Sequence, residues 1–394
     1  MRRFTLCALI GAIGALMTAP AFAIMNTNAE HALLMDAGSG QVLWQKDGFA
    51  PMPPASMSKL MTLELLFQRL KDGRMKLTDT LPVSARAWST QGSKSFAMVG
   101  TRIPVEVLIR GMIVQSGNDA CIVVAEGIGG TVENFVDEMN RRAKELGLQQ
   151  SHFVNPDGLP DPPGQLMSAY DLARLARHLV LDYPQFYHYF SERSFTWSGI
   201  TQPNRNTALD KLPGADGLKT GHTDASGYGV TVSAKRGDER LILVVNGLRY
   251  PDLEKSSPMR RDWFAEQRRG DEAARMLEVA FREFRQYPLF KPNDVVGQAQ
   301  VAGGTEDSVP AVVKSFVSPT LQVDSRPGLK VALHLDSALK APVSAGQVVG
   351  SLLITAPDYP GMTVPVYAAK PVAELGFFGK MVNRIEAMFS RKKG

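Results

Sequence analysis

Cysteine is nearly absent: the 394-residue chain has two, Cys7 and Cys121. Cys7 falls in an N-terminal leader, so the exported chain keeps one thiol and can form no intramolecular disulfide. Cys121 lies on an apolar, helix-like run, which suits a buried structural residue. There is no C-x-x-C and no H-E-x-x-H, and the 6 histidines are not clustered. No metal site and no cofactor are expected. Beyond the leader no apolar run is long enough to span a membrane. A strong charge imbalance is also missing. The net charge is +5, and Arg2 and Arg3 account for two of it. Residues 372–394 hold five cations (Lys380, Arg384, Arg391, Lys392, Lys393) against two acids (Glu374, Glu386), which matches the remaining excess. The body therefore shows no nucleic-acid footprint, and the tail points to an anionic surface.

What is present begins with a secretory pattern. Arg2-Arg3 precedes an apolar run from Phe4 to Met17, and Ala21-Phe22-Ala23 offers a small-x-small cleavage site. Residues 1–23 are expected to be a signal peptide, with Ile24 opening the mature chain. At 44% hydrophobic residues the rest is globular, and its length allows two domains.

The central stretch is Pro54-Ala55-Ser56-Met57-Ser58-Lys59, which opens an apolar run from Leu60 to Leu70 with helical spacing. Positions i and i+3 share one helix face, so Ser56 and Lys59 would stand side by side. A serine hydroxyl is a weak nucleophile, and a neutral amine beside it can take its proton. The helix mouth would also offer free backbone N–H groups to an anion. S-x-x-K alone has little specificity, since an N-cap serine and a solvated lysine would look the same. Two further stretches add weight: Ser116-Gly117-Asn118 before an apolar helix, and Lys219-Thr220-Gly221 in a strand-like segment. The three in this order form the signature shared by penicillin-binding proteins and class A β-lactamases.

Taken in order, residues 31–47 read as a hairpin and the Ser56 helix follows. Helices are expected over roughly 104–114, 118–128, 131–147 and 169–181. His152 to Leu159 is rich in turn formers. Three antiparallel strands are expected at Gly217–Thr223, Gly227–Lys235 and Arg240–Gly247. Residues 251–270 read as an exposed polar insertion, followed by a helix from about 271 to 285. From 289 to 371 there are only short alternating runs, the pattern of a small β domain. In the tail Leu375, Phe378, Val382, Ile385 and Phe389 fall on one helical face, with cations opposite. Residues 372–394 are thus expected to be an amphipathic helix lying on an anionic membrane surface.

The chain resembles the serine-type D-alanyl-D-alanine carboxypeptidases, the low-molecular-mass penicillin-binding proteins, over nearly its whole length. The resemblance rests on Pro54 to Thr62, Gly92-Ser93, Gln115 to Cys121, Phe153 to Leu159, Lys219 to Thr223, and the β domain with its tail. It implies an α/β (α+β) domain of the penicillin-binding, β-lactamase-like kind over 24–288, with an antiparallel sheet and a helical cluster. A small all-β domain (289–371) and the amphipathic helix would follow. Ser56 would be the acylated nucleophile and Lys59 its base, and Ser116 would relay a proton. Asn118 would hold the substrate amide and Lys219 would supply positive potential. Thr220 and Thr223 would bind the terminal carboxylate, and the N–H groups of Ser56 and His222 would form the oxyanion hole beside Gly221. Arg269 matches the family's carboxylate-binding arginine, with Arg268 as competitor, because 251–268 is longer than the family pattern. The implied partners are peptidoglycan stem peptides ending in D-Ala-D-Ala, and β-lactams as acylating inhibitors. The implied location is the periplasm, on the outer face of the cytoplasmic membrane.

Three other functions share part of this pattern. A D,D-endopeptidase would cut cross-links beside the same D-alanine. A class A β-lactamase needs a glutamate for its deacylating water, and no Glu-x-x-x-Asn loop occurs, although Glu133 stays open. A non-catalytic wall-binding scaffold would not need intact motifs.

Overall fold

The computed structural model describes residues 25–376. The expected signal peptide and the tail beyond Gly376 lie outside the described residues. A five-stranded antiparallel sheet forms the centre. Its strands are β1 (His31–Asp36), β2 (Val42–Lys46), β3 (Ala215–Thr223), β4 (Gly227–Arg236) and β5 (Glu239–Leu248), in the order β2-β1-β5-β4-β3. Alternate residues point to opposite faces. Leu33, Met35, Ile242 and Val244 join a core with the helices of one layer. Leu34, Leu241, Leu243 and Val245 join a second core on the other face.

The first layer contains α1 (Lys59–Lys71), α2 (Val105–Ile113), α3 (Asn118–Gly129), α4 (Val132–Glu145) and α5 (Ala169–Asp182). These agree with the sequence expectations within one or two residues. Ser168 and Thr131 cap α5 and α4 by accepting from Asp171 and Asn134 N–H groups.

The second face is covered by α6, which corrects the expectation of an exposed insertion. Pro258–Glu283 is one helix of 26 residues, about 39 Å long. Pro258 suits a helix start, and Ala265, Ala273, Met276, Leu277, Ala280 and Phe281 give it a buried stripe. The many polar and charged residues of its first half concealed this in the sequence, and Gly270 lies inside the helix. Its absent side chain is a packing requirement, because a Cβ there would stand 2.0 Å from Thr207 Oγ1.

The C-terminal sheet has six strands: β6 (Val295–Ala302), β7 (Ser308–Val312), β8 (Lys330–Leu335), β9 (Leu339–Lys340), β10 (Val348–Thr355) and β11 (Met362–Ala368). Their order is β8-β10-β11-β7-β6-β9, around a core that includes Val309, Ala311, Ile354 and Val366. Thr320 ties it to the central sheet. Its hydroxyl donates to Asp36 Oδ2 at 3.0 Å, and its carbonyl accepts from Gln41 Nε2 at 3.1 Å.

The tail expectation is corrected at its start. Val372 bridges Val343, Glu374 bridges Gly304, and Leu375 N–H donates to Gly303 O. These residues are extended, because Val372 completes the β-domain core at 1% exposure. Among the described residues no helix is long and apolar enough to cross a membrane.

Candidate active site

Ser56 sits in a 3-10 turn, Ala55–Ser58, and Lys59 is the first residue of α1. Ala55 has φ +47°, and Ser116 has φ +58°. Left-handed backbone at a residue with a side chain carries strain, and here one such residue immediately precedes Ser56 and the other, Ser116, lines the same cavity as Ser56.

Lys59 is completely buried, and its amine stands 2.6 Å from Ser56 Oγ. Its other neighbours are Asn118 Oδ1 at 2.8 Å and the Asp157 carbonyl at 2.5 Å. Burial pushes the Lys59 pKa down; the nearby Arg205 charge adds to this, while Asp157 opposes it. A neutral amine has two N–H donors and one lone pair. Asn118 and the Asp157 carbonyl take the two donors, which turns the lone pair to the Ser56 hydroxyl.

Lys219, 1% exposed, reaches from β3 to Ser116 Oγ at 3.0 Å. Burial holds its pKa well below the usual lysine range, and the charges of Lys59, Arg205 and Arg269 lower it further. Asn118 orients Lys59 through Oδ1 and donates from Nδ2 to Gln91 O at 2.7 Å, leaving one N–H for a ligand. Asp119 fixes the adjoining loop by accepting from Ser95 N, Ser95 Oγ and Ala97 N. Cys121 lies beneath, its thiol pushed up to about 12 by burial, so it stays protonated.

β3 is the edge of the sheet, and its open side faces Ser56. Gly221 permits this approach: a Cβ there would stand 2.8 Å from Pro54 O and 3.2 Å from Met57 N. Ser56, Ser116, Thr220, Gly221, His222 and Arg269 line one cavity of 620 Å³. Arg269 is 2% exposed and donates to Gly221 O and Arg205 O. Arg268 faces solvent and pairs with Asp252 at 2.7 Å, so of these two arginines it is Arg269 that lines the cavity. The His222 ring stacks on Tyr228 at 3.7 Å, and burial lowers its pKa. Thr223 is not brought into this cavity. Its hydroxyl is 2.9 Å from Ser226 Oγ, and the residue lines a neighbouring cavity.

Glu133, left open as a water-activating acid, is at the surface and pairs with Arg86. Among the described residues no group of His, Cys, Asp and Glu could hold a metal ion. Arg205 escaped the sequence reading. It follows the Ser194–Trp197 and Ile200–Pro203 hairpin, lines the cavity and donates to Ser93 Oγ at 2.7 Å. No motif marks it; only the fold brings it to Lys59 and Lys219.

A family model described as D-alanyl-D-alanine carboxypeptidase matches residues 17–249, and one for the C-terminal domain of penicillin-binding protein 5 matches 284–374. The chain is 35% identical over 368 residues to D-alanyl-D-alanine carboxypeptidase DacD of Escherichia coli, covering 91% of this chain and 90% of that one. DacF of Bacillus subtilis is 32% identical over 354 residues, with 89% and 87% covered. Among solved structures, penicillin-binding protein 5 of Haemophilus influenzae superposes with a TM-score of 0.80 at 32% identity, covering 89% of this chain and 99% of that one. A Listeria monocytogenes penicillin-binding protein in its ampicillin-bound form matches with a TM-score of 0.57 at 26% identity, covering 65% and 98%.

Proposed function

The chain belongs to the D-alanyl-D-alanine carboxypeptidase family of serine peptidases, and from that premise we propose how its residues divide the reaction. The observation that carries this reading is the buried Lys59 amine, 2.6 Å from Ser56 Oγ and biased toward its neutral form. Lys59 takes the hydroxyl proton as Ser56 Oγ attacks the carbonyl of the penultimate D-alanine. The oxyanion rests on the N–H groups of Ser56 and His222, an arrangement in which one donor is worth roughly 3 kcal/mol in serine enzymes. Thr220 and Arg269 hold the terminal carboxylate. Ser116, bonded to Lys219, passes its proton to the departing nitrogen and regains one from the Lys59 ammonium, so the proton taken from Ser56 ends on the amine as the C–N bond breaks and D-alanine leaves. Water then attacks the acyl-Ser56 ester and gives a proton to the neutral Lys59 amine, which hands it to Ser56 Oγ as the acyl C–O bond breaks. A β-lactam, closed by an amide that mimics the dipeptide, acylates the same oxygen.

Four segments frame this chemistry: a signal peptide at 1–23, the catalytic domain at 24–288, the β domain at 289–371 and a tail. Export places the enzyme in the periplasm. The tail beyond Gly376, with its apolar residues at helical spacing and its closing cations, holds it to the anionic outer face of the cytoplasmic membrane.

The test is release of D-alanine from a peptidoglycan pentapeptide by the full-length protein beside Ser56→Ala. Release by the wild type alone is expected, and release by S56A would remove Ser56 from the mechanism. Deleting 377–394 should abolish sedimentation with anionic vesicles; a deleted protein that still sediments overturns the anchor.

A further inference from the structure

When Lys59 takes the Ser56 proton it becomes a buried ammonium, and its surroundings oppose that charge. Burial disfavours the charged form, and the Arg205 cation and the Lys219 amine face the same space. Two acids face Lys59, Asp119 and Asp157, while the Cys121 thiol stays protonated. The Asp119 carboxylate is committed to Ser95 N, Ser95 Oγ and Ala97 N. Asp157 has no such set of donors.

The turn from Asn155 to Leu159 holds Asp157 against the nucleophile. Asn155 Oδ1 accepts from the N–H groups of Asp157 at 3.3 Å and Gly158 at 2.7 Å, and Asn155 Nδ2 donates to Leu159 O at 2.8 Å. The Thr62 hydroxyl of α1 donates to Pro156 O at 2.6 Å. Gly158, at φ +85°, lies on the Ser56 turn: a Cβ there would collide with Ala55 O and stand 2.6 Å from Ser58 Oγ. The Asp157 carbonyl is 2.5 Å from the Lys59 amine. Covalent geometry therefore keeps the carboxyl of the same residue within about 8 Å of that amine. This carboxyl is buried and accepts from Leu159 N–H at 3.1 Å, and among the described residues it forms no ion pair. Burial raises its pKa, and the charges of Lys59 and, more weakly, Arg86 lower it.

We propose that Asp157 is a positioning residue for acyl transfer, its carboxylate serving as the counter-charge to the Lys59 ammonium that forms as Ser56 is acylated. This rests on the reading of Lys59 as the base. Acting across a gap, the carboxylate favours the ammonium without binding its proton, so the amine can still be neutral before the reaction. A negative charge there makes Lys59 a stronger base, and its effect is greatest once the proton has moved.

The experiment measures the rate of Ser56 acylation by a fluorescent penicillin between about pH 5 and pH 10, in full-length wild type, D157N and D157E. D157N removes the charge and keeps an acceptor for Leu159 N–H. Two unit charges about 6–8 Å apart, at an effective dielectric constant of about 20, displace a titration by about one to two pH units. Removing the negative charge lowers the Lys59 pKa, so the acid limb of D157N should move down by that amount. The weaker base should also lower the high-pH plateau about three- to tenfold. The two profiles should therefore converge or cross at low pH. D157E keeps the charge and should keep the limb in place. A purely structural Asp157 would lower the rate by one factor at every pH. An unshifted limb in D157N, or a limb that moves equally in D157E, overturns the counter-charge. D157S, also uncharged, is read in the same way if circular dichroism finds D157N unfolded. A wild type with no acid limb would instead refute Lys59 as the base, and the premise would fail first.

Discussion

Replacing Gly221 by alanine tests how closely the edge strand must approach the nucleophile. The new Cβ would stand 2.8 Å from Pro54 O, 3.2 Å from Ala55 Cβ and 3.2 Å from Met57 N. All three belong to the turn that carries Ser56, and two are backbone atoms that cannot swing aside. Either β3 or the turn must yield by a few tenths of an ångström. Overpacking of this kind costs about 1–3 kcal/mol. The melting temperature should therefore fall by a few degrees, at about 2–4 °C per kcal/mol for a domain of this size. Activity should suffer more. The His222 and Ser56 donors separate, and losing one such donor outright costs about 100- to 1000-fold. A partial separation should lower the rate of Ser56 acylation by penicillin about 10- to 100-fold. The assay is stopped-flow acylation with a fluorescent penicillin, beside circular dichroism to establish folding. A folded Gly221→Ala protein that acylates within twofold of wild type would refute the oxyanion geometry.

Acylation should weaken as pH falls through the lowered Lys59 pKa, about tenfold per unit below it, because only the neutral amine can accept the Ser56 proton. K59R, always charged, should lose at least 100-fold at every pH, read from the same acylation rates. Arg269→Gln should cut kcat/KM for D-Ala-D-Ala peptides about 10- to 100-fold, the worth of a charged hydrogen bond, whereas Arg268→Gln should change it less than twofold. Near the domain junction Glu239 has its carboxyl pushed up to about 7 by burial, with Asp36 contributing and Arg285 opposing. Its folded pKa lies above the unfolded value, so this group's stabilising effect is full below about 4.5 and is lost as pH rises through 7. Glu239→Gln should remove that loss, about 1–2 kcal/mol at pH 8 after allowing for partial exposure. Scanning calorimetry at pH 5 and pH 8 reads it, and an unchanged pH dependence would exclude Glu239 as the cause.

Ser56 and Lys59 were legible because helical geometry makes neighbours of residues three apart. The strands of the central sheet were legible from their alternation and short turns, as were the helices that carry Ser116 and Asn118. Other features depend on approaches between distant segments. Residues 251–270 looked like a polar insertion, yet Gly270 among them is a packing point against Thr207. Arg269 was singled out by resemblance alone, with Arg268 as competitor, and it is the packing of α6 on the sheet that buries the one and leaves the other in solvent. Arg205 has no local signature, because its meaning lies in facing Lys59 and Lys219 across the fold. Thr223 shows the converse: the resemblance implied a carboxylate ligand, and in the turn to β4 its hydroxyl bonds Ser226. Leu375 continued a helical period by its spacing, yet its N–H belongs to the β domain through Gly303.

The open edge of β3 has a consequence for the solution behaviour of the protein. A strand with a free row of backbone donors and acceptors is a template that any other extended chain can join, including a second copy. Here Gly92, Ser93, Gln202 and Pro203, together with Trp263 and Met259, wall the approach to that edge. A whole sheet edge is too broad to enter between them, whereas a single chain end can lie down as a temporary sixth strand. The walls that admit substrate are thus also what should keep the molecules apart at high concentration, so thinning them for a wider substrate would be expected to favour self-association.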